Sequence, residues 1–323
     1  NKIIITKPRK FITNLDKHRM DWSLIDIKKY LGKEKLWGCK RVLPYVTSRG
    51  CPYNCAFCYN LIFNKRIWRC HSVKHVVEDI QFLKDTYNID GIKIFDDNFF
   101  VNMKRAFNII EAIKLPWHCE LRADVVTKKV AKKLQQTNAK ELLIGAETGS
   151  ERLMQLINKG LTVNTVMKCV KNLSKIDAFP VYSFIVGLPT ETWEETQLTI
   201  DMILKIHEID PKAMFTVGPF NPYPNNPLYD LAIKLGFKPP EKTEDWSIIE
   251  RWEGNFDLTW LPWGDKKLFL LIRDYSKFLY FGTNYNIPFL ERIAKYRLSR
   301  RNFSFTLEHK LIKLAYKNFR ELI

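Results

Sequence analysis

The sequence predicts an α/β protein whose core is a partial (β/α)6 TIM-like barrel, followed by a helical, aromatic-rich C-terminal extension. Two observations support this prediction. Six short apolar segments typical of buried strands alternate with longer stretches in which apolar residues recur at helical spacing. Repeated strand–helix units of this kind require right-handed crossovers, which place the strands in a parallel sheet. The alternation stops near residue 222, where Trp, Tyr, Phe and Pro become frequent.

The same periodicities give the expected bounds of each element. Strands are predicted over 43–48, 91–95, 117–122, 141–145, 181–186 and 213–217. Helices are predicted over 72–87, 102–113, 127–136, 150–158, 164–175 and 192–207, and beyond the barrel over 266–281, 288–299 and 307–322. We therefore expect three regions: a polar linker or leader over 1–41, the barrel over 42–222, and a C-terminal cap over 223–323.

Composition limits the functional classes. The 323 residues carry a formal charge of +17, but the lysines are spread along the whole chain, which favours a solvated basic surface over a nucleic-acid footprint. Seven cysteines, an odd number, and no signal-like start disfavour an extracellular disulfide framework and indicate a cytoplasmic protein. No apolar run approaches the ~20 residues that cross a bilayer. The aromatic, basic helices of the cap leave peripheral contact with a membrane surface open.

Three cysteines form the most informative motif. Cys51, Cys55 and Cys58 follow the spacing C-x3-C-x2-C in a loop directly after the first predicted strand. Thiolates are suitable ligands for iron–sulfur clusters or zinc, and a cubane cluster on three cysteines leaves one iron open. A structural zinc site requires a fourth protein ligand. Phe57 places an aromatic ring just before the third cysteine.

This segment, TSRGCPYNCAFCYN, resembles the signature of the radical S-adenosylmethionine superfamily, which has an aromatic residue at the position of Phe57. The resemblance extends over roughly 42–236. It implies a 4Fe-4S cluster on the three cysteines and an open iron that binds the amino and carboxylate groups of S-adenosylmethionine. It also implies reductive cleavage to a 5′-deoxyadenosyl radical, which abstracts hydrogen from a substrate, and an electron donor such as flavodoxin or ferredoxin. The remaining cysteines lack the pairing of a second cluster and are interpreted as mostly buried thiols: Cys39, Cys70, Cys119 and Cys169.

The ends of later strands supply further candidates for binding S-adenosylmethionine. Asp97 could accept hydrogen bonds from an ammonium group or ribose hydroxyls. The alternative is that one of the two adjacent acids, Asp96 or Asp97, caps the next helix. Arg122 could hold the methionine carboxylate, with a structural salt bridge to Glu120 or Glu147 as the alternative. The resemblance implies that Glu147 lies near the ribose and methionine ends of the cosubstrate. It also implies that the main chain of the fifth strand contacts the adenine, through Ile185, Val186 and Gly187.

Two histidines remain outside this scheme. His71 and His75 lie one helical turn apart, as in some metal sites, but no further ligand is evident and an ordinary polar helix face is the favoured interpretation. Asp16 and His18 form an Asp-x-His pair that is similar to the motif of cobalamin-binding domains. Asp21 stands where that motif has glycine, so no cobalamin ligand is assigned to this pair.

Five segments narrow the resemblance to the cobalamin-associated branch, which includes methyltransferases and the anaerobic cyclase of chlorophyll synthesis: DDNF, LRAD, GAETGSERLMQLINKG, IVGLPTET and NPYPNNPLYDLAIKLGF. In that branch a cobalamin domain precedes the barrel, and its linker resembles NLDKHRMDWSLIDIKKY. This chain starts inside such a linker, so we expect no cobalamin-binding domain here and cobalamin only in a longer protein. The expected activity is methylation or other rearrangement of a small or lipid-like metabolite.

Three alternatives stay open. An RNA-modifying radical enzyme similar to methylthiotransferases fits the basic charge but lacks a second cysteine triad and a recognisable RNA module. Retention on RNA that falls steeply with salt would support it. A zinc-stabilised binding module would contain zinc without iron. An electron-transfer iron–sulfur protein fits poorly with three cysteines and a large barrel.

Overall fold

The computed structural model describes residue 4 and residues 6–249 and 260–310. Apart from short 3-10 turns, the elements follow in this order: β1 (Gly32–Glu34), β2 (Cys39–Tyr45), β3 (Ser48–Arg49), β4 (Arg69–Cys70), α1 (Val73–Tyr87), β5 (Gly91–Ile94), α2 (Met103–Ile113), β6 (Trp117–Leu121), α3 (Lys128–Gln135), β7 (Ala139–Glu147), α4 (Glu151–Leu156), α5 (Val163–Leu173), β8 (Phe179–Val186), α6 (Trp193–Ile209), β9 (Met214–Pro219), α7 (Pro227–Lys234), α8 (Lys266–Asn284) and α9 (Pro288–Arg300).

Seven strands form the central sheet in the order β1-β2-β5-β6-β7-β8-β9. All neighbours from β2 to β9 are parallel, whereas β1 runs antiparallel to β2. The sheet curls into a half-barrel, which confirms the partial (β/α)6 barrel predicted from the sequence. A separate ladder of β3 and β4 pairs Ser48 with Cys70 and Arg49 with Arg69.

The helices of the barrel begin where the sequence offers a capping side chain. In each of α1 to α6, the residue before the helix accepts a hydrogen bond from the third helical amide, which satisfies a donor that has no partner within the helix. These capping residues are Ser72, Asn102, Thr127, Ser150, Thr162 and Thr192. The apolar faces of these helices pack on strands whose side chains are fully buried, such as Ile92, Trp117 and Leu142.

The first predicted strand differs most from the structure. It was expected over 43–48, but β2 ends at Tyr45, and Thr47 and Ser48 turn towards the buried carboxylate of Asp96. That carboxylate accepts hydrogen bonds from both amides and both hydroxyls at 2.5–3.0 Å. β1 escaped prediction because a partly exposed strand of three residues carries no periodic signal.

The ends of the chain add two findings. Before β1, Trp22 and Ile27 join the main apolar core, and β2 crosses residue 41, so the expected border between linker and barrel falls inside a strand. The division into three regions therefore stays a prediction.

After the barrel, α8 and α9 match two predicted helices, and the third, over 307–322, lies mostly outside the described residues. Among the described helices, none has the length and apolar character needed to cross a membrane.

Replacing Glu195 with glutamine is expected to lower the free energy of unfolding by about 1–2 kcal/mol at neutral pH. The carboxylate accepts hydrogen bonds from Arg152 at 2.5 and 2.8 Å, from the Ser150 hydroxyl and from the Thr192 amide. These bonds, with Arg152 foremost, lower the pKa of Glu195 from 4.5 to about 2 despite burial. Because the folded pKa lies below the unfolded one, this stabilisation is complete above about pH 4.5 and is lost as the pH falls towards 2.

Urea denaturation across this pH range measures the effect. The difference in free energy of unfolding between wild type and Glu195→Gln should be constant near neutrality and should decrease below about pH 4.5. Glu194→Gln serves as the control, since the neighbouring Glu194 is fully exposed. A gap that stays the same down to pH 3 would contradict the assignment.

Candidate active site

The cysteine loop, which we define as residues 50–68, lies between β3 and β4, and the pairing of these two short strands closes its ends. Its middle is held against the end of α4. The Ala56 amide donates to the Ile157 carbonyl at 2.8 Å, and the Asn158 side chain donates to the Asn54 carbonyl at 3.2 Å. The backbone that carries the thiols is therefore fixed by contacts from two sides.

Asp97 fixes the start of the cysteine loop. One carboxylate oxygen accepts the Gly50 amide at 2.7 Å, and the other accepts the Tyr59 hydroxyl and the Asn60 side-chain amide. Gly50 itself adopts φ +82°, and a Cβ there would lie 2.2 Å from the Ile67 carbonyl oxygen. Asp97 lies at the cavity edge, as we expected for a ligand contact, but both of its oxygens are engaged by the loop.

The three thiols face one cavity of about 380 Å³ at the carboxyl ends of the parallel strands. Cys51, Cys55 and Cys58 are half-buried and free of disulfide bonds. Burial raises the pKa of all three thiols, that of Cys58 to about 11. The positive charges of Lys159 and Arg122 oppose this rise at Cys55. Loss of the thiol protons therefore depends on a metal group that binds the thiolates.

The spacing of the thiols fits an iron–sulfur cluster better than zinc. Four ligands around one zinc ion, with Zn–S bonds of about 2.3 Å, must lie about 3.8 Å apart. Within the described residues, the three thiols do not form a group whose ligand atoms all lie within 4.8 Å of one another. A cluster places each thiolate on a different iron atom and so accommodates wider spacing.

Arg122 lies above the cysteine loop and in the cavity wall. Its guanidinium stacks 3.6 Å from the centre of the Tyr53 ring and donates to the Lys159 carbonyl at 2.9 Å. Two further bonds of 3.1 Å join it to Asp124, whereas no ion pair with Glu120 or Glu147, the alternative considered from the sequence, is found among the described residues. Asp124 is only two positions from Arg122 in the chain, so its short side chain lies beside the guanidinium. The buried Nη1 atom has no hydrogen-bond partner, which leaves one donor for a ligand.

Glu147 forms a buried ion pair with Lys159 at the same cavity. The Lys159 ammonium group also donates to the Gly145 carbonyl at 2.8 Å. A side chain at Gly145 would occupy this space, because a Cβ there would lie 2.2 Å from the charged atoms of both partners. Sequence analysis placed Glu147 here but missed Lys159, whose loop position carries no distinguishing motif.

The remaining predicted contacts divide into two groups. Phe57 and Ile185 line the cavity, whereas Gly187 is not among its lining residues. The Gly187 carbonyl accepts the Trp263 indole N–H at 3.0 Å, and the next amide, of Leu188, donates to Glu191 at 2.9 Å. The carbonyl of Gly187 is thus used inside the protein, and its contact with the adenine stays a prediction.

Two further cavity residues were not selected from the sequence as ligands. Glu120 faces the cavity, and desolvation raises its pKa, with smaller contributions from the acidic charges of Asp97 and Glu147. The side-chain oxygen of Asn221, just beyond β9, is buried without a hydrogen-bond partner. Alternation along β6, which puts Glu120 on the same face as His118, could have indicated the first, but a lone Asn after a strand gives no signal.

Replacing Asp97 with asparagine is expected to accelerate loss of a bound cluster about tenfold, because charge-assisted hydrogen bonds to the cysteine loop are weakened by roughly 1.5 kcal/mol. The measurement is the rate at which a chelator removes iron from the anaerobic protein. Asp177→Asn, at an exposed site outside the cavity, is the control. Equal rates in both variants would show that Asp97 does not hold the loop.

Comparisons with known proteins agree with this geometry. The profile described as Radical SAM superfamily matches residues 45–203. An uncharacterized methyltransferase of Pyrococcus horikoshii is 36% identical over 233 residues, 70% of this chain and 49% of that protein. The anaerobic magnesium-protoporphyrin IX monomethyl ester cyclase of Cereibacter sphaeroides is 27% identical over 232 residues, 69% of this chain and 37% of that protein. The chain thus spans about half or less of the length of these relatives.

The fold also occurs in solved structures. A radical S-adenosylmethionine methyltransferase from Kitasatospora setae, with tryptophan substrate and an S-adenosylmethionine analogue bound, superposes with a TM-score of 0.52 at 14% identity. The match covers 60% of this chain and 39% of that one. With the cysteine motif and these similarities together, the chain belongs to the radical S-adenosylmethionine superfamily, whose domain implies a 4Fe-4S cluster and S-adenosylmethionine.

Proposed function

We propose that this chain is the radical-generating barrel of an enzyme that methylates a small or lipid-like metabolite with cobalamin as methyl carrier. The observation that carries the proposal is the set of three half-buried thiols on one cavity at the carboxyl ends of a parallel sheet. The methyl-transfer part is supported by the similarity to the Pyrococcus methyltransferase over 70% of the chain.

The cavity residues divide the work of binding S-adenosylmethionine. When bound, a cluster on Cys51, Cys55 and Cys58 supplies the electron that breaks the sulfonium C–S bond of S-adenosylmethionine. The unpartnered Nη1 of Arg122 offers a charged donor to the methionine carboxylate. The carboxyl group of Glu120 offers an acceptor to the ammonium group. The reaction needs an external one-electron reductant, for which a flavodoxin or ferredoxin is proposed.

The substrate side of the cavity is aromatic. Six aromatic residues are among those that line it: Tyr53, Phe57, Tyr59, Phe184, Phe220 and Tyr223. The segment before α8 covers the neighbouring strand ends, since Trp260 donates to the Phe220 carbonyl and Trp263 donates to the Gly187 carbonyl. Aromatic walls exclude water and favour an apolar substrate, which supports the lipid-like class.

Cobalamin is proposed from the sequence segments that resemble the cobalamin-associated branch, not from this cavity. Within the described residues, no side chain is assigned to a corrin ring. His18, the one motif residue considered for that role, is exposed. We therefore derive no step of the reaction through cobalamin from this chain.

The test separates radical formation from methyl transfer. The complete natural protein that contains this barrel is reconstituted anaerobically with iron and sulfide, reduced, and supplied with S-adenosylmethionine, with and without reduced cobalamin. We expect 5′-deoxyadenosine under both conditions and S-adenosylhomocysteine only when cobalamin is present. An Arg122→Lys variant should require about tenfold more S-adenosylmethionine, because a lysine cannot keep the Asp124 bonds and also reach the ligand.

Each possible result supports or refutes a separate part of the proposal. 5′-Deoxyadenosine without S-adenosylhomocysteine under either condition would refute the methyl-transfer part and leave the radical class intact. S-adenosylhomocysteine formed equally without cobalamin would refute its role as methyl carrier. Retention on RNA that falls steeply with salt would instead favour the RNA-modifying alternative.

A further inference from the structure

A second cavity, of about 520 Å³, lies between the N-terminal segment and α1, apart from the cysteine cavity. His71 and His75 line it, and Asp16, from a short turn before β1, meets both histidines. One ligand atom from each of these three residues lies within 4.8 Å of the other two. His71 precedes the capping residue of α1, and His75 lies in its first turn, so the start of one helix presents both imidazoles to the turn.

The distances suit one metal ion. The Asp16 Oδ1 atom lies 3.3 Å from Nδ1 of His71 and 3.7 Å from Nδ1 of His75. Tetrahedral ligands at bond lengths of about 2.0–2.2 Å lie about 3.3–3.6 Å apart. The two imidazole rings stack with centroids 4.2 Å apart and planes inclined by 12°, so binding of one ion by both rings requires one ring to rotate about its χ2 bond.

Helix capping does not explain this cluster. Asp16 accepts the Ser72 amide at 2.9 Å, an ordinary bond at the start of α1. His75, however, is 97% buried in its side chain, and its Nδ1 atom has no hydrogen-bond partner within the part of the chain described. A buried nitrogen 3.7 Å from a carboxylate oxygen and without a hydrogen-bond partner is available to bind a further group.

A second carboxylate, that of Asp79, also supports a metal site. Asp79 lies 3.6 Å from Nε2 of His75 and is itself fixed by the Tyr45 hydroxyl at 3.0 Å. Histidine ligands of metals commonly direct their other nitrogen to a carboxylate, which leaves the lone pair of the first nitrogen free for the ion. Asp16 and Asp79 together also balance two positive charges.

We infer that Asp16, His71 and His75 form a binding site for a divalent transition metal, with Zn²⁺ as the best-suited ion, that ties the N-terminal segment to α1. Two imidazoles and one carboxylate suit zinc, and the adjoining cavity leaves its fourth position to water or another small ligand.

The experiment titrates Zn²⁺ into the cluster-loaded chain under anaerobic conditions, with binding followed by calorimetry and the melting temperature. We expect one equivalent of zinc and a melting temperature that rises with zinc concentration. Asp16→Asn and His71→Asn, which change partly exposed side chains, should each weaken zinc binding by more than about tenfold. The iron content of both variants should stay at the wild-type level.

Cys70→Ala is the matched control, because this half-buried thiol neighbours His71 but lies outside the three-residue group. It should bind zinc as the wild type does. Zinc binding that persists unchanged in Asp16→Asn and His71→Asn, or is lost in Cys70→Ala alone, would overturn the inference. So would the absence of any zinc-dependent rise in melting temperature of the wild type.

Discussion

Alanine at any one of Cys51, Cys55 and Cys58 is expected to reduce 5′-deoxyadenosine formation by more than about 100-fold and to abolish the brown colour of the reconstituted protein. Loss of an outer partner of a metal ligand already costs 10–100-fold in affinity or activity, so loss of a ligand itself should cost more. All three thiols face the same cavity, and within the described residues no other cysteine lines it.

The matched control is Cys39→Ala, since Cys39, the first residue of β2, is buried and is not among the residues that line the cavity. It should keep its iron and its activity. Iron, sulfide and 5′-deoxyadenosine are measured on the same anaerobic samples. A single cysteine variant of the loop that keeps full activity would refute the ligand assignment.

Gly50→Ala is expected to abolish stable cluster binding although it leaves all three cysteines in place. The new Cβ would meet the Ile67 carbonyl oxygen at 2.2 Å, and the backbone would have to keep φ +82° with a side chain present. The left-handed conformation alone costs about 1–3 kcal/mol, and the overlap with backbone adds a further roughly 1–3 kcal/mol. The loop must therefore open, which separates Cys51 from Asp97 and the β3–β4 ladder.

Gly38→Ala isolates the contact from the backbone strain. Gly38 has φ +70°, close to the value of Gly50, but a Cβ there meets no atom within 4 Å. This control should lose about 1 kcal/mol of stability and retain its cluster. Iron content and urea denaturation of both variants measure the difference. Similar cluster loss in the two variants would show that strain, and not the Ile67 contact, decides the outcome.

The sequence was a good guide to the elements of the fold because local signals specify them. Thr127 and Thr192 cap the helices that they were expected to start, and the apolar runs of β5 to β9 lie within a few residues of their predicted bounds. The predicted end of the first strand is wrong at Thr47 and Ser48. Both residues bond to the buried carboxylate of Asp96 instead of continuing that strand. Asp96 lies 48 and 49 positions away, outside any local window of the sequence.

The site was predictable in its thiols but not in its supporting charges. Spacing identified the cysteines, whereas Asp124 and Lys159 became partners of Arg122 and Glu147 only through the folded loops. The histidine pair shows the same limit. His71 and His75 were interpreted as a polar helix face, yet Asp16, 55 positions before His71, meets both rings. Long-range pairs of this kind leave no periodic trace in one sequence.

The short strand β1 has a consequence for self-association. An open half-barrel ends in a strand whose free amides and carbonyls could pair with another molecule. Here that edge is only three residues long, runs antiparallel to its neighbour, and carries Glu34, which is ion-paired to Lys93. Short, charged edge strands discourage intermolecular β-pairing and the fibrous aggregates that follow from it. This edge should therefore allow the protein to be concentrated without strand-mediated aggregation.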